Sequence, residues 1–206
     1  MMELDFHADP SENLLPFDGE AYYHPKIFVR EEADQAFQIL SSNIQWRQDV
    51  VKMFGKEITL SRKVAWYGDQ PFAYCYSGTT HVALPWTEEL IKIKTRIESI
   101  VKEKFNCCLL NFYHNGNEKM GWHADDEPEL KRHAAIASLS LGTPRKFSFK
   151  HKKLKQTHSL LLEHGSLLIM KGPVQERWLH QLPAAKKILS PRINLTFRLM
   201  NEGNPS

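Results

Sequence analysis

The feature that most constrains the fold is a change in hydrophobic period after Asn106. From there to residue 200 the apolar residues come in short runs with a period near two, separated by turns that contain Gly and Pro. A period of two is typical of β-strands, because successive side chains point to opposite faces of a sheet. We therefore predict strands at residues 107–113, 134–141, 146–150, 158–163, 166–171 and 192–200.

Two amphipathic helices are predicted before these strands. Between Glu31 and Trp46 apolar residues recur at helical spacing, and from Thr87 a plausible N-cap opens a second stripe that runs to Phe105. Many short strands behind two helices favour a mainly β, α+β fold, either a sandwich or a jelly roll, with the helices packed outside one sheet.

The composition indicates a single basic domain. The chain has 206 residues, of which 42% are hydrophobic and 25% charged, so we predict one globular domain at 26–206. Residues 1–25 contain six acidic residues and no Lys or Arg, and we predict an irregular acidic arm there. The remaining 181 residues carry 27 basic and 18 acidic side chains. That excess suits a polyanionic partner, although a solvated basic surface would also account for it.

The same composition bears on compartment. No apolar run is long enough for a membrane span, and the N-terminus lacks the basic and apolar stretches of a signal peptide. Three cysteines, two of them adjacent at Cys107 and Cys108, cannot form a full disulfide framework. We expect a monomeric intracellular protein without a membrane partner, cytoplasmic or, in a eukaryote, nuclear.

A candidate metal site is predicted from His123-Ala124-Asp125. Alternate residues of an extended segment face the same side, so His123 and Asp125 could share one ion, with His180 as the best third ligand. Two His and one carboxylate are the ligands of non-haem Fe(II) oxygenases. Hydrolytic zinc sites use similar donors, and among ten histidines a His-x-Asp can occur by chance, so the pattern alone leaves these alternatives open.

The predicted last strand has an unusual polar face. Arg192, Asn194, Thr196 and Arg198 alternate with apolar residues. A polar strand face usually meets solvent, but the arginines could instead bind a carboxylate through their planar forks. They are six residues apart, about 20 Å along a strand, so at most one of them can grip the distal end of a small dicarboxylate.

Together these motifs resemble the AlkB family of Fe(II)/2-oxoglutarate-dependent dioxygenases, over residues from about 46 to 200. The resemblance implies a double-stranded β-helix, a form of jelly roll, with the metal near its mouth. It implies Fe(II) bound by His123, Asp125 and His180, with 2-oxoglutarate and O₂ as cosubstrates. The implied contacts of 2-oxoglutarate are Asn111, Tyr113, Arg192, Asn194 and Arg198, and which arginine grips the distal carboxylate stays open.

A nucleotide-recognition lid is predicted around residues 46–80. Residues 51–56 indicate a hairpin with Phe54 near its tip. A Phe beside a Gly is usually a core residue. The segment nevertheless resembles the finger of the duplex-DNA repair branch, and apolar wedges flanked by cations unstack duplexes. The DNA contacts implied by this resemblance are Lys52, Met53, Phe54, Lys56, Arg62, Lys186 and Lys187.

The resemblance also implies a pocket for a flipped base. Tyr74 and Tyr76 match its aromatic lining, although packing within a sheet explains them almost as well, and Glu127 lies two residues after the iron aspartate. A basic segment at 145–155 could add phosphate contacts.

The predicted function is repair of alkylated DNA, with duplex favoured, by oxidative demethylation of 1-methyladenine and 3-methylcytosine. Formaldehyde, succinate and CO₂ would be released. The alternatives are an AlkB-like dioxygenase acting on RNA or protein, and a nucleic-acid-binding module with an inactive metal site.

Overall fold

A computed structural model describes residues 9–53, 56–76 and 79–201, without the side chains at 49, 51–53, 56–58, 74–76 and 79–81. Three helices are formed: α1 (Arg30–Asn43), α2 (Glu88–Val101) and α3 (Val174–Arg177). The strands before α2 are β1 (Glu20–His24), β2 (Arg47–Met53), β3 (Lys56–Gly68), β4 (Ala73–Tyr76), β5 (Thr79–Val82) and β6 (Leu84–Pro85). Those after α2 are β7 (Cys107–Tyr113), β8 (Met120–His123), β9 (Ile136–Gly142), β10 (Arg145–His151), β11 (Thr157–Leu162), β12 (Ser166–Lys171), β13 (Trp178–Leu182) and β14 (Arg192–Arg198).

Two antiparallel sheets form the body of the molecule. The main sheet has the strand order β1-β12-β9-β14-β7-β3-β2, with β6 parallel to the end of β3, and the second sheet has the order β11-β10-β13-β8. Side chains from both sheets meet in one apolar cluster, for example Leu168 and Met170 of β12 with Phe149 of β10 and Trp178 of β13. This confirms the predicted jelly-roll class.

The two long helices cover the outer face of the main sheet. Leu40 of α1 and Ile93 and Ile97 of α2 are buried against apolar residues of β9 and β14, such as Leu139 and Leu195. Each such side chain contributes about 1.5–3 kcal/mol when it leaves water. The predicted N-cap of α2 is confirmed, because the Thr87 hydroxyl accepts a hydrogen bond from the Leu90 amide at 3.3 Å.

The covering of that face explains the polar side of β14. Since Ile193, Leu195 and Phe197 point to the helices, the alternating residues point inward between the sheets. Arg192 and Arg198 are 3% and 4% exposed. The alternative of a polar face in solvent is therefore wrong.

The predicted irregular arm at 1–25 is also wrong at its C-terminal end. Residues 20–24 form β1 and pair with β12, and Leu15 and Ala21 are buried. The alternation of buried Ala21 and Tyr23 with more exposed neighbours is a strand pattern, but it is too short to stand out among the surrounding acidic residues.

The predicted hairpin at 51–56 belongs to a longer one. Strands β2 and β3 pair from Arg47↔Val64 to Met53↔Lys56, with one register shift after Gln48. The far part of β3 continues in the main sheet next to β7.

Among the described residues no helix is both long and apolar enough to cross a bilayer.

Candidate active site

The three predicted metal ligands lie together between the sheets. The Nε2 atoms of His123 and His180 are 3.8 and 3.9 Å from Oδ1 of Asp125, and the candidate ligand atoms all lie within 4.8 Å of one another. Ions of this class bind such atoms at about 2.0–2.2 Å, so a small contraction would bring all three donors onto one ion. Within the part of the chain that the structure describes, this is the one cluster with metal-binding geometry.

The pairing of β8 with β13 brings the two histidines together. His180 lies directly opposite His123 in this antiparallel ladder, and the register shifts between His180 and Leu182. Directly opposed residues have Cβ atoms about 4.5–5.5 Å apart, so both imidazoles reach the same point. One strand pair thus brings together His123 and His180, which are 57 residues apart in the sequence.

Both imidazoles are prepared to act as neutral ligands. His123 Nδ1 lies 2.8 Å from the carbonyl oxygen of Gly121, and a donor at Nδ1 leaves Nε2 as the lone-pair nitrogen. Burial, together with the nearby His123, lowers the pKa of His180 to about 3. His180 is therefore unprotonated at neutral pH, as metal binding requires.

Asp125 is held as a carboxylate by Arg198. Burial by itself raises the pKa of this carboxyl group, but Arg198, His180 and His123 together outweigh it, so the pKa lies below its usual value. Arg198 Nη2 is 2.8 Å from Oδ2, and both side chains are buried. Oδ1 remains directed at the two histidines.

The triad borders a cavity between the two sheets. Its walls contain all five residues for which 2-oxoglutarate contacts were predicted: Asn111 and Tyr113 from β7, and Arg192, Asn194 and Arg198 from β14. The predicted metal ligands and the predicted cosubstrate contacts therefore share one cavity.

The far end of this cavity holds a buried positive charge. Arg192 donates from Nη2 to Ser140 Oγ at 2.9 Å and lies 5.5 Å from the centre of the Tyr113 ring. Burial lowers the pKa of Arg192 to about 10, which leaves it charged at neutral pH. Among the described residues no carboxylate pairs with Arg192, and its Nε has no hydrogen-bond partner. A buried charge without a partner is costly, so this site fits an anionic ligand.

A second unsatisfied group faces the same space. Asn111 is 4% exposed and its Oδ1 has no hydrogen-bond partner. On the neighbouring strand Asn194 donates to Ser138 Oγ at 2.8 Å and to the Leu139 carbonyl at 3.0 Å. Asn111 therefore offers a buried acceptor to a ligand in this cavity, while the Asn194 amide group is held in place by β9.

Ser138 and Ser140 were not among the predicted site residues. Both lie on β9, where Ser alternates with apolar residues, so the run at 134–141 carried the signal of a polar inner face. It was missed because Ser is also common on solvated strand faces.

A second cavity meets the first at the triad. It is bounded by Glu127, Arg62, Val64, Trp66 and Leu84, together with residues shared with the first cavity, His123 and Asp125 included. Glu127, predicted as a base-pocket residue, thus borders this cavity. The side chains of Tyr74 and Tyr76 lie outside the described residues.

Arg62 differs from its predicted role as a DNA contact. It is 5% exposed, and its Nη1 donates to the Lys119 carbonyl at 3.3 Å. A buried guanidinium in a cavity wall is poorly placed to meet backbone phosphates, because those contacts form at the surface. The reason is the position of Arg62 in β3, on the face turned to the cavity.

The other predicted DNA contacts fall into two groups. Lys186 and Lys187 are exposed on the loop before β14. Phe54 lies outside the described residues, as do the side chains of Lys52, Met53 and Lys56.

The basic segment at 145–155 is only partly available for phosphates. Arg145 is 1% exposed and donates to the carbonyls of Glu118 and Pro183 at 2.9 and 2.8 Å. Lys152 donates to the Gln175 carbonyl at 2.9 Å. Lys153 and Lys155 are exposed.

Residues 20–198 match the 2OG-Fe(II) oxygenase superfamily. The chain is 37% identical over 202 residues to human "DNA oxidative demethylase ALKBH2", covering 93% of this chain and 77% of that protein. The bovine protein of the same name is 39% identical over 183 residues, covering 84% of this chain and 66% of that protein. Human "Alpha-ketoglutarate-dependent dioxygenase alkB homolog 3" is 37% identical over 187 residues, covering 85% of this chain and 64% of that protein.

Solved structures share the fold. OsALKBH1 superposes with a TM-score of 0.62 at 18% identity, over 86% of this chain and 97% of that chain. A 2OG-Fe(II) oxygenase from Burkholderia pseudomallei gives a TM-score of 0.57 at 12% identity, over 86% and 84%. Taken with the geometry of the triad, the match over residues 20–198 establishes that the chain belongs to the 2OG-Fe(II) oxygenase superfamily and, within it, to the AlkB family.

Proposed function

We propose that this protein repairs DNA by oxidative demethylation of N-alkylated bases, with 1-methyladenine and 3-methylcytosine as substrates. Each turnover consumes one O₂ and one 2-oxoglutarate at Fe(II) and yields formaldehyde, succinate, CO₂ and the unmodified base. The observation that carries the proposal is that the buried Arg192, with which no carboxylate of the described residues pairs, lies in the same cavity as the His-Asp-His triad. Relatives named as DNA oxidative demethylases supply the substrate class.

His123, Asp125 and His180 would hold the ferrous ion through Nε2, Oδ1 and Nε2. Two His and one carboxylate occupy one face of an octahedron and leave three positions for the cosubstrates. When bound, Fe(II) and 2-oxoglutarate activate O₂ for attack on the N-methyl group. The chain supplies the orientation and a dry cavity for that chemistry.

The structure favours a division of labour between the two arginines. Arg198 lies at the metal end, where its Nη2 holds Asp125 at 2.8 Å. Arg192 lies at the far end of the strand with Nε available. We therefore assign the distal carboxylate of 2-oxoglutarate to Arg192 and a supporting role at the metal to Arg198, because a guanidinium fork binds a carboxylate bidentately.

The second cavity would receive the flipped base. Its wall contains His123, on which a base can stack, and the carboxylate of Glu127, which would favour a positively charged methylated base. From the sequence we place Tyr74 and Tyr76 at the same base. Duplex DNA is the proposed partner, because Phe54 matches a duplex-opening wedge and Lys186 and Lys187 match a loop that contacts the opposite strand.

The working form is proposed to be a monomer in a reducing intracellular compartment. Cys107 and Cys108 are buried as free thiols, in agreement with that environment.

Incubation of the purified protein with Fe(II), 2-oxoglutarate, O₂ and an oligonucleotide containing 3-methylcytosine tests the activity. We expect formaldehyde and repaired cytosine in equal amounts, and none with the D125A variant. D125A should still bind the oligonucleotide, because Asp125 is 6% exposed and is not part of the surface that meets the DNA backbone. If the wild-type protein releases no formaldehyde, the enzyme proposal is wrong. The protein would then be better explained as a nucleic-acid-binding module with an inactive metal site.

The same assay separates the substrate classes. An RNA oligonucleotide of identical sequence should be demethylated more slowly than DNA. Faster turnover on RNA would identify an AlkB-like dioxygenase with a different substrate.

A further inference from the structure

One of the three metal ligands is not fixed by a strand pair. His123 and His180 lie opposite each other in the β8–β13 ladder, whereas β8 ends at His123 and Asp125 follows it in an irregular segment. The position of the carboxylate therefore depends on contacts outside the ladder. One is the ion pair with Arg198, which acts on the side chain.

The other contact acts on the backbone. The amide of Asp125 donates to Oε1 of Gln175 at 2.9 Å. Gln175 lies in the short helix α3, which leads directly into β13, the strand that carries His180. At its other end, Gln175 Nε2 lies 3.5 Å from Sδ of Met170 in β12, which fixes the direction of the amide group.

We propose that Gln175 is a positioning residue for the metal site, because its side-chain oxygen ties the Asp125 backbone to the short helix α3, which leads directly into the strand that carries His180. The inference rests on the proposed function of the triad as the iron site. It differs from the ligand assignment itself, because Gln175 touches neither metal nor substrate and acts through the Asp125 amide.

Contacts of Lys152 should keep a Gln175 variant folded. Lys152 joins the same two segments independently: its Nζ donates to the Gln175 carbonyl at 2.9 Å and lies 3.6 Å from Oδ2 of Asp126. The Lys152 amide also donates to the Arg177 carbonyl at 2.8 Å. Removing the Gln175 side-chain oxygen therefore leaves α3 attached and withdraws one contact from the Asp125 amide.

The test measures the affinity of the metal-free protein for Mn(II) by titration calorimetry, with no DNA or cosubstrate present. Q175M keeps the length of the side chain and removes the acceptor, and Q175E keeps an acceptor oxygen. Q38M, in the exposed face of α1, is the matched control. Loss of a residue that orients a metal ligand weakens metal binding about 10–100-fold, and we expect Q175M to fall in that range. Q175E and Q38M should bind close to the wild-type affinity.

Three results would overturn the inference. Q175M could bind Mn(II) as tightly as the wild type, Q175E could be as weak as Q175M, or Q38M could be equally weak. If Q175M does not fold, Q175N takes its place. Its side chain keeps a carboxamide group but is too short to bring the oxygen to the backbone N–H of Asp125. The same comparison with Q175E and Q38M then applies. Failure of the wild-type protein to bind Mn(II) would instead contradict the proposed function.

Discussion

The chemistry of the cavity depends at the residue scale on two buried guanidinium groups with different partners. Arg198 is neutralised by Asp125 at 2.8 Å, so its charge fixes a metal ligand. Arg192 donates to the Ser140 hydroxyl and lies beside the Tyr113 ring, and among the described residues no carboxylate pairs with it. An unpaired buried charge lowers stability until an anion arrives, so binding of an acidic cosubstrate and folding should be coupled at this residue.

We predict that R192M abolishes stabilisation by 2-oxoglutarate without lowering the stability of the ligand-free protein. Replacing a buried, uncompensated charge by an apolar side chain of similar length is usually neutral or stabilising. With Mn(II) present, a ligand at 100 times its Kd stabilises the wild type by about 2.7 kcal/mol. Thermal unfolding with and without 2-oxoglutarate measures both effects.

R30M serves as the control for R192M, because the Arg30 side chain is 84% exposed, and this variant should keep the full shift. An R192M protein whose Tm still rises with 2-oxoglutarate would show that another group binds the distal carboxylate.

The proposed preference for duplex DNA predicts a specific effect of replacing Phe54. F54A should reduce demethylation of a duplex at least tenfold more than demethylation of the single strand with the same sequence, since opening a base pair costs a few kcal/mol that a wedge offsets. Steady-state assays on the paired substrates measure the ratio. Equal losses on both would indicate that Phe54 packs in a core.

At the scale of elements, the hydrophobic period predicted most strands after α2 but not the two short strands that carry the histidine ligands. Strands at 107–113 and 166–171 were placed correctly because their apolar runs are bounded by turns. Strands β8 and β13 were missed, since each has five residues or fewer. Each also has a histidine ligand in place of an apolar residue, which leaves too few apolar positions to reveal a period of two.

The loop that carries Lys186 and Lys187 depends on a contact with the turn at Gly116. The Gly116 amide donates to the Ile188 carbonyl at 2.8 Å, and its carbonyl accepts from the Ala185 amide at 2.7 Å. A Cβ at Gly116 would clash with the carbonyl oxygen of Ala185. The close approach therefore requires glycine.

We predict that G116A lowers the stability by about 1–3 kcal/mol, the usual cost of overpacking, and weakens duplex binding by displacing the loop. Thermal unfolding and fluorescence anisotropy with a duplex measure the two effects. At Gly121 a Cβ would meet nothing within 4 Å, so G121A should unfold at the wild-type temperature. Wild-type behaviour of G116A would mean that the loop adjusts without cost.

At the scale of the whole molecule, the main sheet separates structure from chemistry. Its outer face packs against the helices in the larger apolar core, and its inner face carries Arg192 and Arg198 and looks across the cavity to the histidine ligands on the second sheet. The sequence predicts this division through the alternation of polar and apolar residues in β14. It does not predict that two cavities meet at the triad. The wall of the second cavity includes Arg62 of β3, and a buried arginine cannot be distinguished from a surface arginine in the sequence.

The charge of the whole body should appear in the salt dependence of DNA binding. Each phosphate neutralised by a lysine contributes about 0.9 to the slope of log K against log salt concentration for duplex DNA. If Lys186 and Lys187 each contact one phosphate, the double variant K186A/K187A should lower the magnitude of that slope by about 1.8. Titrations of a duplex at several salt concentrations give the slope. The double variant K26A/K102A removes two exposed lysines next to the helices, on the side away from the cavities, and should leave the slope unchanged. An equal decrease in both variants would mean that the net charge, and not this loop, attracts the duplex.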